Sequence, residues 1–413
     1  TMSIDDIFID INKIIEEDLD INVKILYIDG SKFEANANKM TFVWKKSSQK
    51  YYQNTWKKFI KLVKKLNRYF SREGIEVYYS LIKEPNIAYM LEIADRVEKY
   101  MEANNIEFVH GKGKKKSEIQ KLYDELKEYA IRISKYIMHF DICGDRNSFS
   151  KTDPDATFMK MKYDYYNHTN VFKPGYNVQF GISDGFIRNV YVSSDCNDLP
   201  TYIPFMEKYY QAYGEYPEKT PADAGYGSYD NYMFCKKHEI DLYMKYSGYY
   251  KEQEKKTEKN QFKVSQMRQE DGSYVCPQGY KFEFVRETIN TKGQYKKVNQ
   301  ILENKHCEGC PLKSKCTKSK GNRKITNNEK LNQMKKEVRD NLASEVGKEY
   351  IKWRQIYSEG VFGILKEDHH YSKLRRRGES GVKLEITLVA IGFNIRKYHK
   401  MMMEKRKKEA LIN

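Results

Sequence analysis

The spacing of apolar and polar residues along the chain predicts a fold that mixes strands and helices. Residues 175–195 alternate with the two-residue period of a β-strand on both sides of Ser183-Asp184-Gly185. An Asp-Gly pair between two apolar runs predicts a β-hairpin. A shorter β-prone run, Val23–Ile28, predicts another strand, which ends at Asp29 and is followed by Gly30.

Helical spacing dominates the segments on either side of this hairpin. Residues 44–140 carry apolar stripes at intervals of three and four, for example at Trp56, Phe59, Val63 and Leu66, with lysines on the other face. Further helices are predicted over 1–20, about 198–213, 228–238, 328–368 and 384–400, and further strands leading into Asp223 and over 240–246.

The charge balance points to a polyanionic partner. The chain has 413 residues, and 74 Lys plus Arg against 57 Asp plus Glu give a formal net charge of +17. Nucleic acid is the first candidate and an anionic membrane surface the second. No apolar run reaches the length of about 18 residues that a membrane-spanning helix needs, and the acidic start, Thr1–Asp10, is unlike a secretory signal. We therefore expect a cytoplasmic protein that binds nucleic acid and no membrane.

Three acidic residues stand where metal ligands can be presented. Asp29 and Asp223 each follow a predicted strand, and Glu359 lies in a predicted helix with Lys366 seven residues later. Seven residues are close to two α-helical turns, so Glu359 and Lys366 are expected to share a face. Each position also has an ordinary structural interpretation. Strand-Asp-Gly often marks a turn, and Asp223 could cap the helix that begins near Ser228.

Several separated segments together carry a resemblance to a known family. The chain resembles bacterial insertion-sequence transposases of the DDE type, and within them a group with a cysteine-bearing insertion. The resemblance extends from about residue 22 to about residue 400. Its blocks, in order, are Ile28-Asp29-Gly30-Ser31-Lys32 with Glu34-Ala35-Asn36-Ala37-Asn38-Lys39, then Thr152-Asp153-Pro154-Asp155-Ala156, Gly175-Tyr176-Asn177-Val178-Gln179, Ala222-Asp223-Ala224-Gly225-Tyr226 and Glu359-Gly360-Val361-Phe362-Gly363.

The resemblance implies a transposase that acts through an acidic triad. Asp29, Asp223 and Glu359 would bind a pair of Mg²⁺ (or Mn²⁺) ions, which prefer carboxylate oxygens and promote phosphodiester chemistry. Lys366 would contact a phosphate. The enzyme would be nucleoid-associated and would bind double-stranded DNA. It would cut this DNA at terminal inverted repeats and join the 3′-hydroxyl to target DNA, as a homodimer in the synaptic complex. A non-catalytic DNA-binding remnant and a stand-alone ribonuclease-H-like nuclease are the alternatives.

One departure from the family pattern affects the site. Related enzymes often have an Arg four residues before the Glu, where this chain has Gln355. Arg354 is five residues before Glu359, and at about 100° per residue it points away from the face of Glu359.

Asp153 and Asp155 compete with Asp29 as ligands. Pro154 between them predicts a loop or turn, from which they would support the site or contact the substrate strand.

The predicted elements follow the order of a ribonuclease-H-like core, which is hairpin, helix, strand, helix, strand. We therefore expect an α/β fold with a ribonuclease-H-like mixed sheet and flanking helices, interrupted by one helical and one Cys-rich insertion. Compared with the family, the N-terminal helical DNA-binding region is expected to be reduced to its last helix. The expected parts are the remnant at 1–21, the first core strand at 22–43, the helical insertion at 44–145, the core continuation at 146–249, the basic Cys-rich insertion at 250–330, and the catalytic helix with a C-terminal helical region at 331–413.

The Cys-rich insertion has the spacing of a metal site. Cys307, Cys310 and Cys316 form C-x2-C-x5-C, and Cys276 precedes Pro277 at a knuckle-like position upstream. Four thiolates around a C-x2-C pair are typical of a structural Zn²⁺ site. His306 is an alternative ligand, an iron–sulfur cluster is an alternative group, and ordinary thiols in a basic loop are the third interpretation.

Basic side chains near the acidic triad are the expected DNA contacts. A cluster follows the predicted catalytic helix, and Lys32 lies close to Asp29. Neutralisation of phosphates by such groups gives affinity that depends steeply on salt. The residues expected to contact DNA are Lys32, Lys373, Arg375, Arg376 and Arg377.

Overall fold

The computed structural model describes residues 3–111, 113–161, 171–253 and 261–412. The chain divides into two compact units. The first comprises Thr1–Glu34 and Tyr176–Asn413, and the second comprises Ala35–Gly175. Within the described ranges, none of the helices combines the length and the apolar character that crossing a bilayer requires.

The first unit begins with helix α1 (Ile4–Leu19) and strand β1 (Tyr27–Glu34). Ser3 caps α1, because its Oγ accepts the N–H of Asp6 and the Asp6 carboxylate accepts the N–H of Ser3. The prediction that the first strand ends at Asp29 is wrong. β1 continues through Gly30 to Glu34, where the N–H of Glu34 donates to the carbonyl of Ser372 at 3.0 Å.

The second unit is a helical body with short strands. Its elements are β2 (Phe42–Trp44), α2 (Lys45–Arg72), α3 (Ile87–Ala103), α4 (Glu118–Cys143), β3 (Ser148–Ser150) and β4 (Thr157–Lys160). The predicted apolar stripe on α2 is confirmed, since Phe59, Val63 and Leu66 are fully buried against α3 and α4. Asp153 and Asp155 lie in a turn, as predicted.

A mixed sheet forms the centre of the first unit. It is completed by β5 (Phe172–Ser183), β6 (Phe186–Ser193), β7 (Ala222–Gly227) and β8 (Met244–Tyr246), with a 3₁₀ turn (Leu199–Thr201), α5 (Tyr202–Tyr213), α6 (Tyr229–Lys237) and α7 (Tyr249–Gln253) between and after them. The strand order is β6-β5-β1-β7-β8. β5 and β6 are antiparallel, which confirms the predicted hairpin, whereas β1, β7 and β8 run parallel. The first residues of β5, Phe172–Gly175, belong to the second unit and pair there with β4.

The cysteine-bearing segment contains a separate antiparallel sheet. Its elements are α8 (Val264–Met267), β9 (Glu283–Asn290), β10 (Lys297–Asn304), α9 (Lys313–Cys316) and β11 (Arg323–Asn327). β10 is the central strand, with β9 and β11 on its two sides. All eight residues of β9 are exposed or partly exposed. This sheet therefore buries little of its own surface.

The final part of the chain is helical. It consists of α10 (Glu329–Ala343), α11 (Glu345–Gly363), a π-helical turn (Ile364–Asp368) and α12 (Glu379–Ile412). The helical stretch predicted over about 328–368 is confirmed. It is divided at Ser344, which is extended and caps α11 by accepting the N–H of Gly347 on its Oγ at 3.0 Å. α12 is longer than the predicted 384–400.

Helices cover the sheet of the first unit with aromatic side chains. Leu26 and Ile28 of β1 belong to one buried cluster with residues of α5, α6 and α10, such as Phe205, Tyr232 and Val338. Burial of these side chains provides the main driving force for packing the layer. On β1, the last residue of this cluster is Ile28, which directly precedes Asp29.

Candidate active site

The register between β1 and β7 brings Asp29 and Asp223 together. The two strands are parallel, and Ile28 lies opposite Ala222. The next residues on the two strands are Asp29 and Asp223. Opposed residues of a parallel pair point to the same face, and neighbouring strands lie about 4.8 Å apart. The two carboxylates are therefore neighbours on one face of the sheet.

Asp223 is the second residue of β7, and not the last residue of a strand as predicted. The parallel pairing begins earlier in the chain, at an isolated bridge formed by Lys219. The alternative interpretation of Asp223 as a helix cap is wrong. Ser228 caps α6, because its Oγ accepts the N–H of Asn231 at 3.1 Å. Asp223 has an exposed side chain that the local fold does not use as a cap.

Helix α11 lies over the face of β1 that carries Asp29. Side chains alternate along a strand, so Tyr27, Asp29, Ser31 and Phe33 share this face. Every one of them meets the segment from α11 to the π-helical turn. The contacts are Tyr27 with Tyr357 (5.2 Å between ring centroids), Asp29 with Arg354 (3.6 Å from Oδ2 to Nη1), Ser31 with Lys366 (2.5 Å from Oγ to Nζ) and Phe33 with Phe362 (6.4 Å between ring centroids).

Burial and charge act in opposite directions on Asp29. The pKa of Asp29 is raised to about 6, chiefly by burial and to a smaller extent by the nearby charges of Asp223 and Asp198. The Arg354 guanidinium and the N–H of Gly30, which donates to Oδ1 at 3.0 Å, lower the pKa but do not offset burial. A cation that approaches Asp29 would therefore stabilise its ionised form.

Asp198 is a third carboxylate near Asp29 that the sequence reasoning missed. Its Oδ1 accepts hydrogen bonds from Asn177 Nδ2 at 2.7 Å and from Gln179 Nε2 at 3.1 Å. Tyr226 OH donates to the Oε1 of Gln179. The sequence did hold a signal, because Asn177 and Gln179 are polar residues at alternate positions of an otherwise apolar strand, and buried amides need partners.

Gly30 leaves room for this hydrogen-bond network. A Cβ atom at Gly30 would lie 2.5 Å from the amide oxygen and nitrogen of Gln179. Any larger residue would displace the amide that holds Asp198. The glycine after Asp29 is thus explained by close packing within the sheet, and not by a turn.

Glu359 is not brought to Asp29 and Asp223. It lies on α11 with an exposed side chain, whereas its neighbour Ser358 is buried. Arg354 lies on the side of α11 that faces β1, so the sequence prediction that Arg354 and Glu359 point in different directions is confirmed. The Nε of Arg354 is buried and has no hydrogen-bond partner among the described residues.

Lys366 contacts β1 directly after the aspartate. Its Nζ donates to Ser31 Oγ and to the carbonyl of Lys32 at 2.8 Å, and it lies 4.4 Å from the ring centroid of Phe33. The prediction that Glu359 and Lys366 share an α-helical face is wrong. The α-helix ends at Gly363, and the π-helical turn that follows changes the spacing.

The basic loop after the π-helical turn is held by a buried acid. The side chains of Lys373, Arg375, Arg376 and Arg377 are exposed. The backbone N–H groups of Arg375 and Arg376 donate to the carboxylate of Glu385 at 2.7–3.1 Å. Because the backbone is fixed from inside, the guanidinium groups are presented to solvent.

No preformed metal site is present in the described ranges, where no group of three or more His, Cys, Asp or Glu side chains is arranged to hold a metal ion. Asp29 and Asp223 are two neighbouring carboxylates, one fewer than such a group requires. For the cysteines, this finding leaves the predicted Zn²⁺ unsupported as the side chains stand.

Comparison with known proteins gives one match. Separate comparisons with curated proteins and with solved structures found no match. Residues 275–399 match the model of a family described as "Transposase DDE domain". The matched segment includes Glu359, Lys366 and the basic loop, and it begins after Asp29 and Asp223. The match supports a DDE transposase, and it suggests a DNA substrate and the divalent metal ions that such enzymes generally use.

Proposed function

We propose that this chain is a DNA transposase that cleaves phosphodiesters at transposon ends and transfers the resulting strand to target DNA. One observation carries this proposal. The parallel register of β1 and β7 sets Asp29 beside Asp223, and burial leaves Asp29 with a raised pKa. Neighbouring carboxylates, at least one of which has a raised pKa, are characteristic of sites that bind cations or perform acid–base chemistry.

The sheet topology supports a ribonuclease-H-like core. In chain order, the five strands of the first unit occupy positions third, second, first, fourth and fifth across the sheet, with an antiparallel hairpin followed by two parallel strands. This is the arrangement that the order of predicted elements led us to expect. The two insertions would then be residues 44–145 and 250–330.

The residues present fit a hard divalent cation. Asp29 and Asp223 offer neighbouring carboxylate oxygens, which are the ligands that Mg²⁺ and Mn²⁺ prefer. When bound, the ions would stabilise charge on the attacking and leaving oxygens of the phosphodiester. The cation would also offset the repulsion between Asp29 and Asp223, which would lower the pKa of Asp29.

The proposed reaction consists of two balanced displacements. Water attacks phosphorus at the transposon end, the bond from phosphorus to the 3′-oxygen breaks, and that oxygen takes a proton to become the 3′-hydroxyl. The 3′-hydroxyl then attacks a phosphorus of the target, whose own 3′-oxygen leaves with the proton. Arg354 lies beside Asp29 with an unpartnered Nε, so it can donate to a phosphate oxygen at this position.

Glu359 requires a change in α11 to complete the triad. Glu359 follows buried Ser358, so a shift of one residue in helical register would exchange the two positions. A π-helical turn contains one residue more than an α-helical turn, and such a turn follows directly at Ile364–Asp368. Conversion of this turn to α-helix on DNA binding would supply that shift.

DNA binding is assigned to the basic loop and to neighbouring lysines. The loop with Arg375, Arg376 and Arg377 directly follows the segment that covers Asp29, and Lys32 lies on β1 itself. Terminal inverted repeats and target DNA are the proposed partners. Joining two transposon ends to one target makes a homodimer the proposed active form.

The test is strand transfer by the purified full chain. Two labelled duplexes, one with the inverted repeats that flank this coding sequence and one with unrelated target DNA, are incubated with Mg²⁺ or with a chelator. Metal-dependent joined products are expected. Nicks without joining would instead show a nuclease, and binding without any cleavage would show a DNA-binding remnant. Either result would overturn the proposal.

A further inference from the structure

Four cysteines of the 250–330 segment line one small cavity. The cavity is bordered by Cys276, Cys307, Cys310 and Cys316, and its volume of about 20 Å³ is close to that of one water-sized sphere. None of the four forms a disulfide. They come from positions up to 40 residues apart in sequence, so the fold itself has brought these thiols to one place.

Three of the cysteines lie at two tight turns that each contain a left-handed glycine. Cys276 accepts the N–H of Gly279 on its carbonyl at 2.8 Å, and the φ of Gly279 is +82°. In the second turn, Cys307 and Cys310 flank Gly309, whose φ is +67°. Both turns depend on a glycine with positive φ, so the fold fixes the backbone at these cysteines.

Arg323 already supplies the charge that thiolates need. Its backbone N–H donates to the Sγ of Cys307 at 3.3 Å, and its Nη1 donates to the Sγ of Cys316 at 2.8 Å. The guanidinium thus places a positive charge beside the cavity. Four thiolates around Zn²⁺ carry a net charge of −2, and Arg323 would offset part of it.

The geometry also decides between Cys276 and His306 as the fourth ligand. The His306 ring stacks on Tyr280, with 4.4 Å between ring centroids and 20° between ring planes. Moving the ring to a metal would break this contact. Both residues border the cavity, and Cys276 is held there by packing against the buried apolar cluster of the segment.

The segment has too small a core to hold its sheet without help. Its buried apolar cluster consists of Met267, Tyr274, Phe282 and Ile325, with Cys276 and Cys316 packed against it. Small modules with so few buried side chains usually depend on disulfides or a metal ion for stability.

We propose that Cys276, Cys307, Cys310 and Cys316 bind one structural Zn²⁺ ion. Each thiol releases its proton to solvent, and the four sulfurs close around the ion, since they are not arranged at ligand distances as they stand. The ion would fix the β9-β10-β11 sheet to the turns at Cys276 and Cys307. This proposal does not rest on the proposed function, because metal content is measured without DNA or catalysis.

The test measures the metal in the full chain, purified without chelator from medium that contains zinc and iron. One zinc per chain is expected by elemental analysis. After exchange with Co²⁺, the absorption bands of tetrahedral cobalt and of sulfur-to-cobalt charge transfer are expected. Cys310→Ser should lose nearly all its zinc, whereas Cys196→Ser, at a partly exposed cysteine outside the cavity, should keep it.

The proposal is overturned if the native chain holds no zinc, if it holds iron with the absorption of an iron–sulfur cluster, or if Cys310→Ser retains as much zinc as Cys196→Ser. Should Cys310→Ser fail to fold, the native chain still decides the question through its zinc content and its Co²⁺ spectrum.

Discussion

At the scale of single residues, the candidate site is defined by the surroundings of Asp29. The carboxylate is partly buried beside Asp223, it has an ion pair with Arg354, and the N–H of Gly30 donates to it. The balance leaves its pKa raised to about 6. The folded chain therefore holds an ionised Asp29 at neutral pH at a cost in stability, which binding of a cation would relieve.

Asp29→Asn is expected to stabilise the chain at pH 7.5 in the presence of a chelator. The unfolded carboxyl titrates near its usual pKa and the folded one at about 6. The destabilisation from this group is therefore absent below pH 4, grows as pH rises from 4 to 6, and is fully present above pH 6. A gain of about 1–3 kcal/mol follows from a shift of about two pKa units. Denaturant unfolding at pH 4 and pH 7.5 measures it.

Asp241→Asn is the matched control, because Asp241 is an exposed aspartate of the same sheet region that pairs with Lys219 at 3.5 Å. It should give no such gain at pH 7.5. Equal effects of the two substitutions, or a loss of stability in Asp29→Asn at pH 7.5, would contradict the assigned environment of Asp29.

At the scale of elements, local patterns in the sequence predicted most helices and the hairpin, and failed where tertiary contacts decide. The turn at Asp184-Gly185 determines the β5-β6 pairing locally, so it was predictable. Extension of β1 past Gly30 depends on Gln179 and on Ser372, which are distant in sequence. Asp198 could not be assigned for the same reason, since its partners Asn177 and Gln179 lie on another strand.

The orientation of α11 is the element-scale feature that most affects function. Glu359→Gln is expected to reduce strand transfer at least 100-fold, the scale expected for losing a group that acts only in the reaction, and to leave stability within about 0.5 kcal/mol because the side chain is exposed. Glu367→Gln is the control, because Glu367 is also exposed but lies in the π-helical turn. This variant should keep full activity. If both variants remain active, Glu359 is a solvated surface residue and the proposed register shift is wrong.

At the scale of the whole molecule, the formal net charge of +17 makes binding to DNA largely electrostatic. The charge is spread along the chain, and only part of it is placed next to the candidate site. The loop held by Glu385 presents Arg375, Arg376 and Arg377 directly after the segment that covers β1. Composition alone predicted the class of partner, whereas the anchoring of this loop became visible only in the structure.

Replacing Arg375, Arg376 and Arg377 together by Gln is expected to weaken DNA binding and to reduce the slope of log affinity against log salt by about 2–3. Fluorescence anisotropy with a labelled duplex at several salt concentrations measures both quantities. The control replaces three exposed lysines of α2, Lys57, Lys58 and Lys61, by Gln and removes the same charge. An equal effect of the two triple variants would show that net charge, and not this loop, determines binding.

The central claim is that Asp29 and Asp223 act together as the catalytic centre, and Asp223→Asn tests it most directly in the strand-transfer assay. Asp223 is exposed, and Ser228 caps α6 in its place, so the variant should fold normally. Asp223→Asn is expected to bind DNA as the native chain does, and to produce neither nicks nor joined strands with Mg²⁺ or Mn²⁺. The control Asp241→Asn should join strands normally. Strand transfer by Asp223→Asn at the native rate would show that Asp29 and Asp223 do not form the catalytic centre.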